Sequence, residues 1–201
     1  MKKLSVFVAA ISLFVSGVAL SDNLASQPTG YWVNLGYQYQ DNTSNLLTES
    51  NQYQIGAGYT PYEWLELGLT TKNVMSDNVL GYNQLEGSAT GYYGFTDMLG
   101  VYGRGELGQT WTSVDDFSYG AVGVGGYIKP YGPTSNTQIQ LGYRYRDSFN
   151  DVDYETNSLV LGAEYAFTPV HSVTVGYEYV DGDSNDLLDQ NLFSIGYRGH
   201  F

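Results

Sequence analysis

Residues 137–147 read TQIQLGYRYRD, with Gly142-Tyr143-Arg144-Tyr145-Arg146 at the centre. On a strand, successive side chains point to opposite faces, so Ile139, Leu141, Tyr143 and Tyr145 share one face. Gln138, Gln140, Gly142, Arg144 and Arg146 share the other. One face is oily and one is wet, and no helical period fits both sets. The same figure returns as GYQYQ at 36–40 and GYEYV at 176–180, so its cause belongs to the whole chain.

Alternating segments recur along the sequence at regular intervals. They predict strands at Tyr31–Gln40, Gln52–Thr60, Leu65–Asn73, Leu85–Phe95, Leu99–Trp111, Tyr119–Ile128, Thr137–Arg146, Ser158–Phe167, Ser172–Asp181 and Asn191–Phe201. Each has about the 9 to 11 residues a tilted strand needs to cross a hydrocarbon core. The connections also alternate. TPYEW, TDM, PYGPTSN and TPVH are compact, whereas DNTSNLLTES, VMSDNVLGYN, TSVDDFS, DSFNDVDYET and DGDSNDLLDQ are longer and acidic. Short turns at one end and long loops at the other predict an all-β, antiparallel up-and-down transmembrane β-barrel of ten strands, with both termini on the short-turn side. Eight strands is the alternative if the glycine-rich segments 85–95 or 119–128 are not full spans.

Bulk decides which face points inward. One face repeats Leu65/Leu67/Leu69, Leu159/Leu161/Tyr165 and Phe193/Ile195/Tyr197, while the other carries many glycines and a set of charged residues. Ten rows of large apolar side chains would overfill a closed ten-stranded interior, so the apolar face is the outer, lipid-facing one. The lumen then holds Glu66, Glu86, Glu106, Glu164 and Glu178 against Lys72, Arg104, Arg144, Arg146 and Arg198. Folding the third and fourth strands about Val79 sets Lys72 opposite Glu86, and folding the seventh and eighth about Asp153 sets Arg144 diagonal to Glu164. Tyr39, Tyr53, Tyr145 and Tyr179 above, with Tyr31, Tyr59, Trp64 and Phe201 below, supply two aromatic girdles.

The N-terminal 20 residues read as a secretory signal peptide: Lys2 and Lys3, an apolar run from Leu4 to Val15, and small residues before a cleavage site near residues 19–21. Residues 21–201 are then the barrel domain. Removing Lys2 and Lys3 takes the formal charge from −13 to −15. Such a charge repels nucleic acid, and the absence of cysteine excludes disulfides and thiolate metal sites.

These features resemble the small outer-membrane β-barrel proteins of Gram-negative bacteria, the OmpA-like and porin-like barrels. The resemblance rests on the leader, the strand lengths, the Gly-Tyr pairs and the aromatic last residue. The final strand FSIGYRGHF resembles the family's assembly signal, with Phe193, Ile195, Tyr197 and Phe201 on one face, although Gly199 stands where a bulky residue is usual. The resemblance implies an outer-membrane location, periplasmic chaperones, the barrel-assembly machinery, and lipid and lipopolysaccharide as neighbours. A monomer is expected.

The candidate chemistry is sparse. In DGDSNDLLD, Asp181, Asp183, Asn185 and Asp189 stand at positions 1, 3, 5 and 9 of a calcium loop, but Asp186 replaces the turn glycine and Leu192 the bidentate glutamate. The acidic loops offer a place for a divalent cation, and no other cofactor is expected. His171 reads as a turn residue and His200 as a lumen residue, both far from the loop acids such as Asp115 and Asp116. No catalytic group is assigned, and an outer-membrane enzyme is the remote alternative. The expected function is structural or interactive, with a salt-bridged and largely closed lumen; a narrow, weakly cation-preferring diffusion pore is the second reading.

Overall fold

A computed structural model describes residues 29–42, 50–76, 81–112, 116–149, 154–182 and 189–201. The expected signal peptide lies outside these residues. The described residues form ten strands: β1 (Gly30–Asn42), β2 (Ser50–Tyr62), β3 (Leu65–Ser76), β4 (Tyr82–Gly94), β5 (Leu99–Trp111), β6 (Asp116–Ile128), β7 (Thr137–Ser148), β8 (Glu155–Thr168), β9 (His171–Gly182) and β10 (Gln190–His200). Each pairs antiparallel with its sequence neighbours, and β1 pairs with β10 to close the barrel. β4 and β6 are full spans of 13 residues each, which removes the eight-strand alternative.

Closure leaves no strand edge, so every span satisfies its backbone donors and acceptors within the sheet. The seam is completed past the end of β10, where Tyr31 N donates to Phe201 O at 3.1 Å and Phe201 N donates to Tyr31 O at 2.8 Å. Both ends of the described chain lie on the side of the tight turns, at residues 63–64, 95–98, 129–136 and 169–170.

The exposed row on the outside is apolar, including Leu35, Ile55, Leu69, Leu141, Leu159 and Ile195. Tyr31, Tyr59 and Phe201 are exposed near one end, and Tyr53 and Tyr179 near the other. This is the reverse of a water-soluble barrel, which hides its apolar face inside.

The interior is packed more heavily than a sum of charges and glycines. Trp32, Tyr92, Tyr119 and Tyr127 are buried, and Tyr102 packs on Tyr92 and Tyr127. Several of these rings lie over a glycine directly across the ladder: Trp32 over Gly58, Tyr102 over Gly125, Tyr119 over Gly108 and Tyr127 over Gly100. At Gly108 and Gly58 any β-carbon would collide with the facing ring, so the missing side chain is what lets a large aromatic lie flat inside a narrow barrel.

Two expected registers are corrected. β3 and β4 fold about residue 78, which places Lys72 opposite Gln84 and leaves it diagonal to Glu86. β7 and β8 fold about residue 151, which places Arg144 opposite Ser158 and Glu164 opposite Gln138. The shift is by whole pleats, so every side chain keeps its face while its cross-strand partner changes.

Candidate lumen charge network and outer rim

All ten lumen charges read from the sequence stand on inward-facing positions, and ion pairs divide them into two groups. In the larger group, Lys72 Nζ lies 3.4 Å from Glu86, Arg104 Nη2 lies 3.4 Å from Glu86, and Arg104 Nε also donates to Glu106. Arg144 reaches Glu106 at 3.5 Å and donates to Glu178. Arg146 stands 3.8 Å from Glu86 and 3.9 Å from Glu106. The smaller group is Arg198 between Glu66 at 3.2 Å and Glu164 at 3.9 Å. Arg144 therefore pairs with Glu178 and Glu106, and Glu164 with Arg198, in place of the expected Arg144–Glu164 contact.

Glu86 and Glu106 are 3% and 2% exposed, so their charges depend on these partners. An unpaired carboxylate at such a depth would be costly, and the network removes that cost by sharing each carboxylate between several bases. Tyr119, which is fully buried, ties the group to the wall. Its hydroxyl donates to Glu86 Oε2 at 2.8 Å and accepts from Gln84 Nε2 at 2.6 Å. The Arg146 guanidinium sits 4.8 Å above the Tyr119 ring, and its Nη1 donates to Tyr154 at 3.0 Å. At the other end Arg198 covers the Trp32 ring at 4.7 Å.

Between these contacts lies a cavity of about 300 Å³. Its wall is charged on β3–β5 and β7–β10, from Lys72, Glu86, Arg104 and Arg144 round to Glu164, Glu178 and Arg198, and carries amides on β1 and β2, at Gln38 and Gln54. Tyr92 and Trp32 lie at its turn-side end. The aromatic residues are the part of the interior that sequence reading missed. For Trp32, Tyr102, Tyr119 and Tyr127 the signal was available, since a glycine stands directly across the ladder from each, but only a correct register reveals it.

The outer rim is polar without being basic. Asp41, Asp116 and Asp181 are exposed at the loop ends of their strands. Below them, matched tyrosines and asparagines bind across the hairpins: Tyr177 donates to Asn191 at 2.6 Å, and Tyr37 and Tyr143 donate to Asn51 and Asn157. Of the calcium-loop residues, Asp183 and Asn185 lie outside the described residues. Asp189 Oδ1 accepts from Gly182 N at 2.9 Å, and among the described residues no group of three or more histidines or acids is placed to hold a metal. Asp115 is likewise outside them.

The C-terminal row is exposed on the outer face: Phe193 at 50%, Ile195 at 54%, Tyr197 at 37% and Phe201 at 75%. Beside it, His171 is more than a turn residue. Its Nδ1 is hydrogen-bonded to the Tyr197 hydroxyl at 2.6 Å, and its ring stacks between Phe167 and Tyr197 at 6.0 and 5.8 Å.

Among solved structures, the β domain of the Bordetella autotransporter BrkA matches with a TM-score of 0.60 at 13% identity, over 87% of this chain and 100% of that one. The chain has the fold of an outer-membrane β-barrel. Other outer-membrane barrels align with lower scores: Neisserial surface protein A (NspA) at 0.49, with 14% identity over 86% of this chain and 98% of that one, and the NanC porin at 0.48, with 13% identity over 84% and 100%. No family model and no curated protein sequence matches this outer-membrane barrel.

Proposed function

We propose that this chain is an exported outer-membrane protein whose lumen is a structural core, and which acts through its surface in a structural or adhesive role. The observation that carries the reading is the Tyr119–Glu86–Arg146 knot. It fills the loop-side half of the lumen with buried, mutually paired groups, and Trp32, Tyr92, Tyr102 and Tyr127 crowd the turn-side half. A passage open to solutes would leave such groups wet and separable. In this reading residues 1–20 are removed on export, and chaperones and the assembly machinery deliver the chain. The acidic rim meets lipopolysaccharide through divalent cations, and the barrel performs no catalysis.

The second reading, a narrow and weakly cation-preferring pore, is favoured by one observation: the cavity of about 300 Å³ bordered by the glutamates of the network. Single-channel recording in planar bilayers separates the two. The structural reading expects no steady conductance from the wild type and rare, small openings at most. A large, steady current, unchanged by Glu86→Gln, would replace it with the pore.

A further inference from the structure

The last strand carries an outward row with one position missing. Phe193, Ile195, Tyr197 and Phe201 stand on the outer face of β10, and Gly199 interrupts them with no side chain. The gap is nevertheless covered. A β-carbon at Gly199 would lie 3.3 Å from the Tyr197 hydroxyl oxygen and 3.5 Å from the Phe201 ring, so both rings lean over it. Gly199 is paired across the ladder with His171, the first residue of β9, while Tyr197 is paired with Val173. Tyr197 thus crosses two positions diagonally to reach His171 Nδ1 at 2.6 Å, and the imidazole is stacked against Phe167 of β8 on its other side.

We propose that His171 is a positioning residue for barrel closure: it holds Tyr197 across the Gly199 gap and so completes the outward row of β10 at the seam. Free tyrosine at a wet interface samples several rotamers, and fixing one has an entropic cost that the hydrogen bond and the two ring contacts offset. The consequence reaches β1, because Phe201, which shares the gap with Tyr197, exchanges both backbone hydrogen bonds with Tyr31. The clasp therefore links β8, β9 and β10 at the point where the chain's two ends meet.

The test folds the full mature chain into phosphatidylcholine vesicles and follows the heat-resistant band on gels, together with hydrogen exchange at the Tyr31 and Phe201 amides. His171→Ala and Tyr197→Phe should each slow folding at least threefold and speed exchange at both amides. The double variant should be no slower than His171→Ala, which already loses the hydrogen bond and both ring contacts. His171→Asn, whose side-chain amide can replace the ring nitrogen, should recover most of the wild-type rate. Gly199→Leu should slow the wild type by displacing Tyr197, yet speed His171→Ala by filling the gap directly. Wild-type folding and exchange in His171→Ala would overturn the proposal. So would failure of His171→Asn to fold any better than His171→Ala, or a Gly199→Leu effect of the same sign in both backgrounds.

Discussion

Glu86 is shared by four partners: Lys72, Arg104 and Arg146 surround it, and Tyr119 donates to it. Neutralising it leaves four bases facing two carboxylates in the larger group. Glu86→Gln should therefore cost about 3 kcal/mol, the usual penalty for breaking a buried pair, measured as a drop in the urea midpoint of the folded barrel in vesicles. The same variant should show more frequent channel openings, with a shift toward anions. Gly108 sits under the ring that carries this knot, and a methyl group there meets Tyr119 head on. Gly108→Ala should destabilise by about 1–3 kcal/mol through overpacking, even though alanine suits a strand better than glycine. A stabilised Gly108→Ala barrel would show that Tyr119 can move aside freely.

At the scale of the strand, alternation marks the ten elements, plainly in spans such as β3 and β7, where Leu/Glu and Tyr/Arg neighbours write out period two, and faintly in the glycine-rich β4 and β6, which only the structure shows to be full spans. Strand ends were less legible. β2 and β4, among others, run beyond their predicted limits, since Ser50, Asn51, Tyr82 and Asn83 have no apolar pattern to mark them and pair only because the neighbouring strand offers a partner. The registers of the β3–β4 and β7–β8 hairpins were misjudged because a long polar loop does not announce its centre. Partner choices such as Arg144 with Glu178 depend on that centre and on β9 as well. His171 reads as a turn residue because Tyr197, which binds its ring nitrogen, lies on β10, 26 residues further on, outside any local window. The closing element makes its own prediction. Deleting Phe201 removes both hydrogen bonds to Tyr31 along with the most exposed large side chain of the terminal row. The truncated chain should fold into vesicles several-fold more slowly than the full one, followed by the heat-resistant band. Equal rates would mean that the β1–β10 ladder alone drives closure.

The whole molecule sorts its charges by location. Beyond Lys2 and Lys3, its basic residues are Lys72, Arg104, Lys129, Arg144, Arg146 and Arg198. Five point into the lumen, where they are paired, and Lys129 lies in the turn between β6 and β7. The long loops contain acids and amides and no base. A protease that cuts after lysine or arginine thus finds almost nothing to work on. Five of its sites lie within paired strands with their side chains turned inward, and the sixth is followed by Pro130, which blocks cleavage at that bond. The folded barrel should pass through trypsin as one intact band, while the unfolded chain is cut to fragments and an endoprotease specific for aspartate or glutamate nicks the folded form at its loops. Digestion by trypsin thereby becomes a direct assay of closure, reporting on any variant by whether its arginines have stayed inside.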